Sequence, residues 1–148
     1  MKVNWMSLVS AKGADLRPLV ATVRTRLRAA VVIGAEPDRV LAALEGEAPG
    51  VSVVRVPDGT PEEVMEGAVR AAGRLARPGD TVMLAPAAAS WDQFRSYAQR
   101  GDLFAAAAAR LVEAAGKSLY SFFQVLQDFY QFFFSFHLQT QNIFPFHY

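Results

Sequence analysis

The chain has 148 residues, 52% of them hydrophobic, and its 15 Lys and Arg against 14 Asp and Glu leave a formal net charge of +1. That balance lacks the basic footprint of a nucleic-acid binder, so we expect no nucleic acid among its partners. With no cysteine and two histidines, neither a disulfide framework nor a zinc site is expected, and the composition fits a cytoplasmic location.

Short apolar strands alternate with helical patterns along most of the chain. The first strand, VNWMSLV, carries polar interruptions and no cleavage motif follows it, so it reads as a strand rather than a signal peptide. A helix with apolar residues at helical spacing over 16–27 follows, and then the strand AAVVIG. We interpret Arg24, Arg26 and Arg28 as the solvated end of this helix, where the helix dipole favours positive charge.

The second half repeats this alternation. A helix with Pro37 in its first turn precedes the strand VSVVRV, and a longer helix begins with Thr60 as N-cap, Pro61 and Glu63, the signature of a capping box. The strand TVMLAP then leads to a last helix from about Ser90. Strands apolar on both faces, alternating with helices, predict an α/β fold: a Rossmann-like, mostly parallel sheet of about four strands with helices on both faces.

Two of the predicted loops carry unusual chemistry at the carboxyl ends of strands, where ligands bind in such sheets. In SAKGAD, Lys12 is either a solvated turn residue with Asp15 as a cap, or a cation beside helix-start amides that could meet an anion. In APAAASWDQFRSY, Ser90 is either an N-cap with Gln93 at the third helical position, or part of a polar site. The crowding of aromatic residues at that helix start favours the second interpretation.

Nucleotide and hydrolase motifs are missing from the sequence. It contains neither G-x-x-x-x-G-K-[ST] nor G-x-G-x-x-G, and the single glycine of VVIGAE is weak evidence for a dinucleotide site. A Ser–His–Asp triad would have to draw its histidine from the anomalous C-terminal segment, so a hydrolase is not favoured.

The segment KGAD and the later segment PGDTVMLAPAAASWDQFRSYAQRGDLF together resemble the C-terminal domain of Mur ligases. The resemblance covers residues 5–115 and is strongest to the members that add D-glutamate to UDP-N-acetylmuramoyl-L-alanine. It implies an ATP- and magnesium-dependent ligase of peptidoglycan precursor synthesis. In that family ATP phosphorylates the terminal carboxyl of the substrate, and the amine of D-glutamate then attacks the resulting acyl phosphate.

The resemblance also implies roles for individual residues. Lys12 would pair with a carboxylate of the incoming D-glutamate, Ser90 and the backbone of Trp91 would hold a carboxylate by hydrogen bonds, and Tyr97 would contact the same group. No catalytic residue and no metal ligand is expected in this chain, and ATP and magnesium would belong to the intact ligase. One departure concerns the first loop, where Leu8 and Val9 replace the glycine pair usual in the family.

We therefore expect residues 3–116 to form a Mur ligase C-terminal-like domain truncated at its start. On this interpretation the chain is a fragment that binds the incoming amino acid and is inactive alone. The alternative is a non-catalytic α/β binding or interaction module that keeps only the fold.

Residues 117–148 differ sharply in composition. Twelve of the seventeen aromatic residues lie in 118–148, which has no Ala, Gly, Lys or Arg and one acid, Asp128. Apolar residues at helical spacing predict an amphipathic helix over about 118–138, with Gln124 and Asp128 among the polar residues that argue against a membrane span. The helix would pack on the α/β layer or pair with a second copy by self-association. The alternative is a segment with no evolved packing.

Overall fold

The computed structural model of the 148-residue chain describes residues 3–8, 15–34, 37–86 and 93–115. Strands and helices alternate throughout these ranges: β1 Val3–Leu8, α1 Arg17–Val23, β2 Leu27–Ile33, α2 Asp38–Glu47, β3 Ser52–Arg55, α3 Pro61–Leu75, β4 Thr81–Pro86 and α4 Tyr97–Ala115. The predicted C-terminal aromatic helix lies outside the described residues. The division of the chain at residue 117 therefore stays a prediction.

The described strands form one sheet in the order β3-β2-β1-β4, and every neighbouring pair is parallel. The α/β class and the parallel sheet are therefore confirmed. From β1 the chain moves to β2 and β3 on one side, and it then crosses back to place β4 on the other side of β1.

Residues of β2 alternate between two separate cores. Val31 and Ile33 pack with α3, α4 and Val82 of β4, whereas Ala30 and Val32 pack with α1 and α2. Because successive side chains of a strand point to opposite faces, this division places one helix pair on each face of the sheet. It also explains why the strand is apolar at almost every position.

Helix α3 begins as its sequence predicts. The Glu63 N–H donates to Thr60 Oγ1 at 3.2 Å, and the Thr60 N–H donates to Glu63 Oε2 at 2.9 Å, so both halves of the capping box form. Pro61 occupies the first helical position, where a missing N–H costs no hydrogen bond. The helix then buries one face, which includes Val64 and Met65, against the sheet and α4.

The interpretation of Arg28 as part of a solvated helix end is wrong. Helix α1 ends at Val23, a turn spans 24–26, and Arg28 lies in β2, where the register with β1 shifts between Val3 and Asn4. Its guanidinium forms an ion pair with Asp80, whose side chain is 3% exposed. Because the helix ends at Val23 and the strand begins at Leu27, this arginine lies at the amino end of the sheet and not on the surface of a helix.

No helix within the described ranges is long and apolar enough to cross a membrane.

Candidate functional site

The carboxyl ends of β1 and β4 lie side by side, with β4 at the edge of the described sheet. Leu8, the last residue of β1, pairs in register with Pro86, the last residue of β4. The connection after β1 leads to β2 on one side, whereas β4 lies on the other side, so this pair marks the point where the winding of the sheet reverses. Ligands of open parallel sheets bind in the crevice at such a point.

Three of the four predicted site residues follow these paired strand ends. Lys12 lies four positions after Leu8, and Ser90 and Trp91 lie four and five positions after Pro86. All three fall outside the described residues. Four residues of extended chain span at most about 14 Å, and paired strands lie about 4.8 Å apart, so both loops start from one small region.

Tyr97, the fourth predicted residue, is described, and it begins α4. Its side chain is 54% exposed, which is unusual for a large aromatic residue in this domain. It lies at the N-terminal end of the helix that follows β4, with its ring exposed.

The predicted start of the last helix at about Ser90 is wrong, because residues 93–96 are not helical and α4 starts at Tyr97. The sequence contains the capping pattern S-x-x-Q twice, at Ser90–Gln93 and at Ser96–Gln99. The second copy caps the helix: the Gln99 N–H donates to Ser96 Oγ at 3.0 Å, and Gln99 Oε1 accepts from the Arg95 N–H at 2.7 Å.

Arg100 is the residue that sequence reasoning missed. Its side chain is 5% exposed, and its guanidinium carbon lies 4.8 Å from the centre of the Tyr97 ring, one helical turn earlier. Burial lowers the pKa of Arg100, although the neighbouring Tyr97 acts in the opposite direction. The sequence did contain an indication of this contact, because Tyr97 and Arg100 are three positions apart and such residues are neighbours on a helix.

No carboxylate pairs with Arg100 in the part of the chain that the structure describes. A buried cation without a counter-ion is unfavourable unless an anion or a set of acceptors completes its surroundings. Nearby in sequence, Gln93 Oε1 is also buried without a hydrogen-bond partner. A buried guanidinium without a carboxylate partner among the described residues and an unpaired amide oxygen therefore lie on either side of the start of α4.

The described residues do not fit a metal or a nucleotide phosphate. Residues 3–8, 15–34, 37–86 and 93–115 contain no group of three His, Asp or Glu side chains that could hold a metal ion, and the sequence has no phosphate-binding glycine motif.

Similar proteins share one name. The chain is 55% identical over 105 residues to the UDP-N-acetylmuramoylalanine–D-glutamate ligase of Leifsonia xyli, 51% identical over 109 residues to that of Streptomyces coelicolor, and 44% identical over 131 residues to that of Mycobacterium avium. These matches cover 71%, 74% and 72% of this chain but only 20%, 23% and 27% of the relatives. No family model matches the chain.

The predicted resemblance is therefore confirmed, with the chain spanning about a fifth to a quarter of the length of these relatives.

Proposed function

We propose, from this homology to UDP-N-acetylmuramoylalanine–D-glutamate ligases, that the chain is the amino-acid-binding part of a ligase that joins D-glutamate to UDP-N-acetylmuramoyl-L-alanine. The observation that supports the proposal is the pairing of Leu8 with Pro86, because the segments that contain Lys12 and Ser90 follow these two residues in the sequence. The strand order β3-β2-β1-β4 supports a Rossmann-like layer, since the doubly wound order 3-2-1-4-5-6 contains these four strands in the same order. A cytoplasmic location is part of this proposal.

Four residues bind D-glutamate through its carboxylates in this proposal: Lys12 pairs with a carboxylate, and Ser90, Trp91 and Tyr97 share the contact with a carboxylate. Lys12 supplies a positive charge, Ser90 and the backbone of Trp91 donate hydrogen bonds, and Tyr97 lies against the same group. The exposure of Tyr97 at the start of α4 supports its part of this arrangement. Charge-assisted hydrogen bonds of this kind contribute roughly 1.5–3 kcal/mol each.

Arg100 completes the electrostatics of the site. Its guanidinium is buried, has no carboxylate partner among the described residues, and stacks on Tyr97. A bound dianion would supply the missing negative charge, and the stacking would hold the Tyr97 ring in place at the mouth of the site. The residues of this chain bind and orient the amino acid, and they supply no group that transfers phosphate.

The isolated 148-residue chain is therefore inactive as a ligase in this proposal. A coupled assay with ATP, magnesium, D-glutamate and UDP-N-acetylmuramoyl-L-alanine is expected to give no product. Clear turnover by the chain alone would contradict this part of the proposal, but it would not contradict the proposed binding site.

Titration of the full chain with D-glutamate, followed by amide NMR shifts, tests the binding site. We expect shifts centred on Lys12, Ser90 and Tyr97, a preference for D- over L-glutamate, and millimolar affinity at best, which is about −4 kcal/mol. Arg100→Ala should weaken binding at least tenfold, whereas Arg74→Ala, which removes an exposed arginine in the last turn of α3, should not.

The absence of any shift with D-glutamate would favour the alternative, a non-catalytic α/β module that keeps only the fold.

A further inference from the structure

Helix α3 carries a row of charged side chains on its exposed side. Glu62, Glu66, Arg70 and Arg74 follow one another at intervals of four residues, and each of them is exposed or half-buried. Residues four apart on an α-helix lie about 40° from one another around its axis, so the row stays on one side of the helix. The opposite side, which includes Val64, is buried against the sheet.

The charges of this row are held loosely within the molecule. Glu62 and Arg74 form no ion pair in the ranges that the structure describes. Glu66 Oε1 pairs with Arg110, whereas Glu66 Oε2 lies 3.7 Å from Arg70 Nη2, which is a long separation for an ion pair. The side chain of Arg70 is 64% exposed. Both ends of the row and one carboxylate oxygen at its middle can therefore accept closer partners from outside the molecule.

The order of the charges makes the row complementary to its own reverse. Two acids precede two arginines, so a second row that runs in the opposite direction places an acid beside each arginine. With a twofold axis level with the middle of the row, Glu62 faces the partner's Arg74 and Glu66 faces the partner's Arg70. The symmetry repeats both contacts. Twofold dimers are the commonest protein assemblies, and their interfaces bring one patch against its own copy.

We propose that this row is a docking surface for a second copy of the chain, which binds with its α3 antiparallel to the first. A uniformly anionic partner would be repelled by Glu62 and Glu66, and a uniformly cationic one by Arg70 and Arg74, so the charge pattern favours a second copy. Rows of residues four apart are also the ridges through which helices most often pack.

The dimer is weak and depends on salt. The row is about 18 Å long, and exposed ion pairs contribute little one by one and are screened by added ions. No residue of the proposed D-glutamate site belongs to the row, so either proposal can fail while the other holds.

Charge reversal in the full-length chain tests this pairing. One variant, Glu62→Arg with Glu66→Arg, makes the row entirely basic, and the other, Arg70→Glu with Arg74→Glu, makes it entirely acidic. In sedimentation velocity, each variant should associate with itself at least tenfold more weakly than the natural chain, because like charges then face each other. An equimolar mixture of the two should restore the dimer, as a heterodimer that native mass spectrometry identifies by its mass.

The matched control is Asp38→Arg with Glu45→Arg, which reverses one acid in the first turn of α2 and a second exposed acid of that helix. It changes the net charge as much as the basic variant does and leaves the row intact, so self-association should be unchanged. Raising the salt concentration from about 0.05 M to about 0.5 M should weaken the dimer of the natural chain at least tenfold.

Three outcomes would overturn the proposal: a natural chain that stays monomeric, self-association that survives both charge reversals, or a mixture of the two variants that stays monomeric. If a double variant loses its helical circular dichroism signal, the single reversals Glu62→Arg and Arg74→Glu replace the two double variants. These two residues face each other in the proposed dimer and break no ion pair of the described chain, and the same three outcomes apply to them.

Discussion

The ion pair between Arg28 and Asp80 predicts a large loss of stability when the arginine is removed. The Asp80 side chain is 3% exposed, and Arg28 is 26% exposed. Breaking a buried pair by removing one partner costs roughly 3–5 kcal/mol, because the remaining charge stays buried. Here the cost should be lower, since Asp80 Oδ2 also accepts from the Arg77 N–H at 2.9 Å and water reaches part of the arginine.

We therefore expect Arg28→Ala to lower the free energy of unfolding by about 2–3 kcal/mol, which for a domain of this size is about 10 °C in Tm. Urea denaturation followed by circular dichroism measures it. The control is Arg26→Ala, which removes an exposed arginine from the turn two residues earlier and should change stability by less than about 0.5 kcal/mol.

Two further results bear on the same reasoning. In a double-mutant cycle, Asp80→Ala should cost much less in the Arg28→Ala background than in the natural chain, because the buried charge is then removed together with its partner. If Arg28→Ala and Arg26→Ala lose the same small amount of stability, the ion pair is not holding the amino ends of β2 and β4 together, and the argument fails.

Three further predictions follow from local contacts: two concern the starts of helices, and the third concerns the titration of Asp15. Thr60→Ala should lower the stability of the domain by about 1 kcal/mol through loss of the α3 capping box, whereas Thr25→Ala in the exposed 24–26 turn should not; equal effects in thermal unfolding would contradict the cap. Ser96→Ala should cost about 1 kcal/mol in stability and leave D-glutamate binding intact, while Ser90→Ala should weaken binding; a reversed pattern in melting and NMR titration would return the helix start to Ser90. The side-chain and backbone hydrogen bonds of Arg17 hold the pKa of the Asp15 carboxyl below its usual range. The stability that this pair contributes is therefore present above the ordinary carboxyl pKa and is lost as the pH falls through the lowered value. Arg17→Ala should raise the pKa of Asp15 measured by NMR, and an unchanged pKa would show that Arg17 is not the cause.

Local patterns predicted the elements whose stabilising contacts lie within a few residues. The α3 start is the clearest case, because Thr60, Pro61 and Glu63 contact one another across a single turn. Strand β2 could also be predicted from the sequence, since both of its faces are buried and almost every residue is apolar. In these places composition and spacing are themselves the cause of the structure.

Elements that depend on distant partners were not predictable in the same way. The S-x-x-Q pattern occurs twice, and the sequence alone does not decide that Ser96 rather than Ser90 caps α4. Arg28 looked like a helix-end charge because its partner Asp80 is far along the sequence. Arg100 was missed for a related reason: its importance comes from burial, and a polar residue on a helix gives no local sign of how deeply it lies.

The strand order also constrains how the chain reaches its native state. β1 is made before β4, and Val3 pairs with Thr81, roughly 80 residues later, so this contact closes a long loop and gives the domain a high contact order. At about 5–20 residues per second, synthesis leaves one edge of β1 without its neighbour for roughly 4–16 s. During that interval β1 and β2 can pair while the second edge of β1 stays open to other strands. Folding of this domain should therefore be limited by the arrival of β4, and a chaperone that shields β1 until then should raise the yield of native protein.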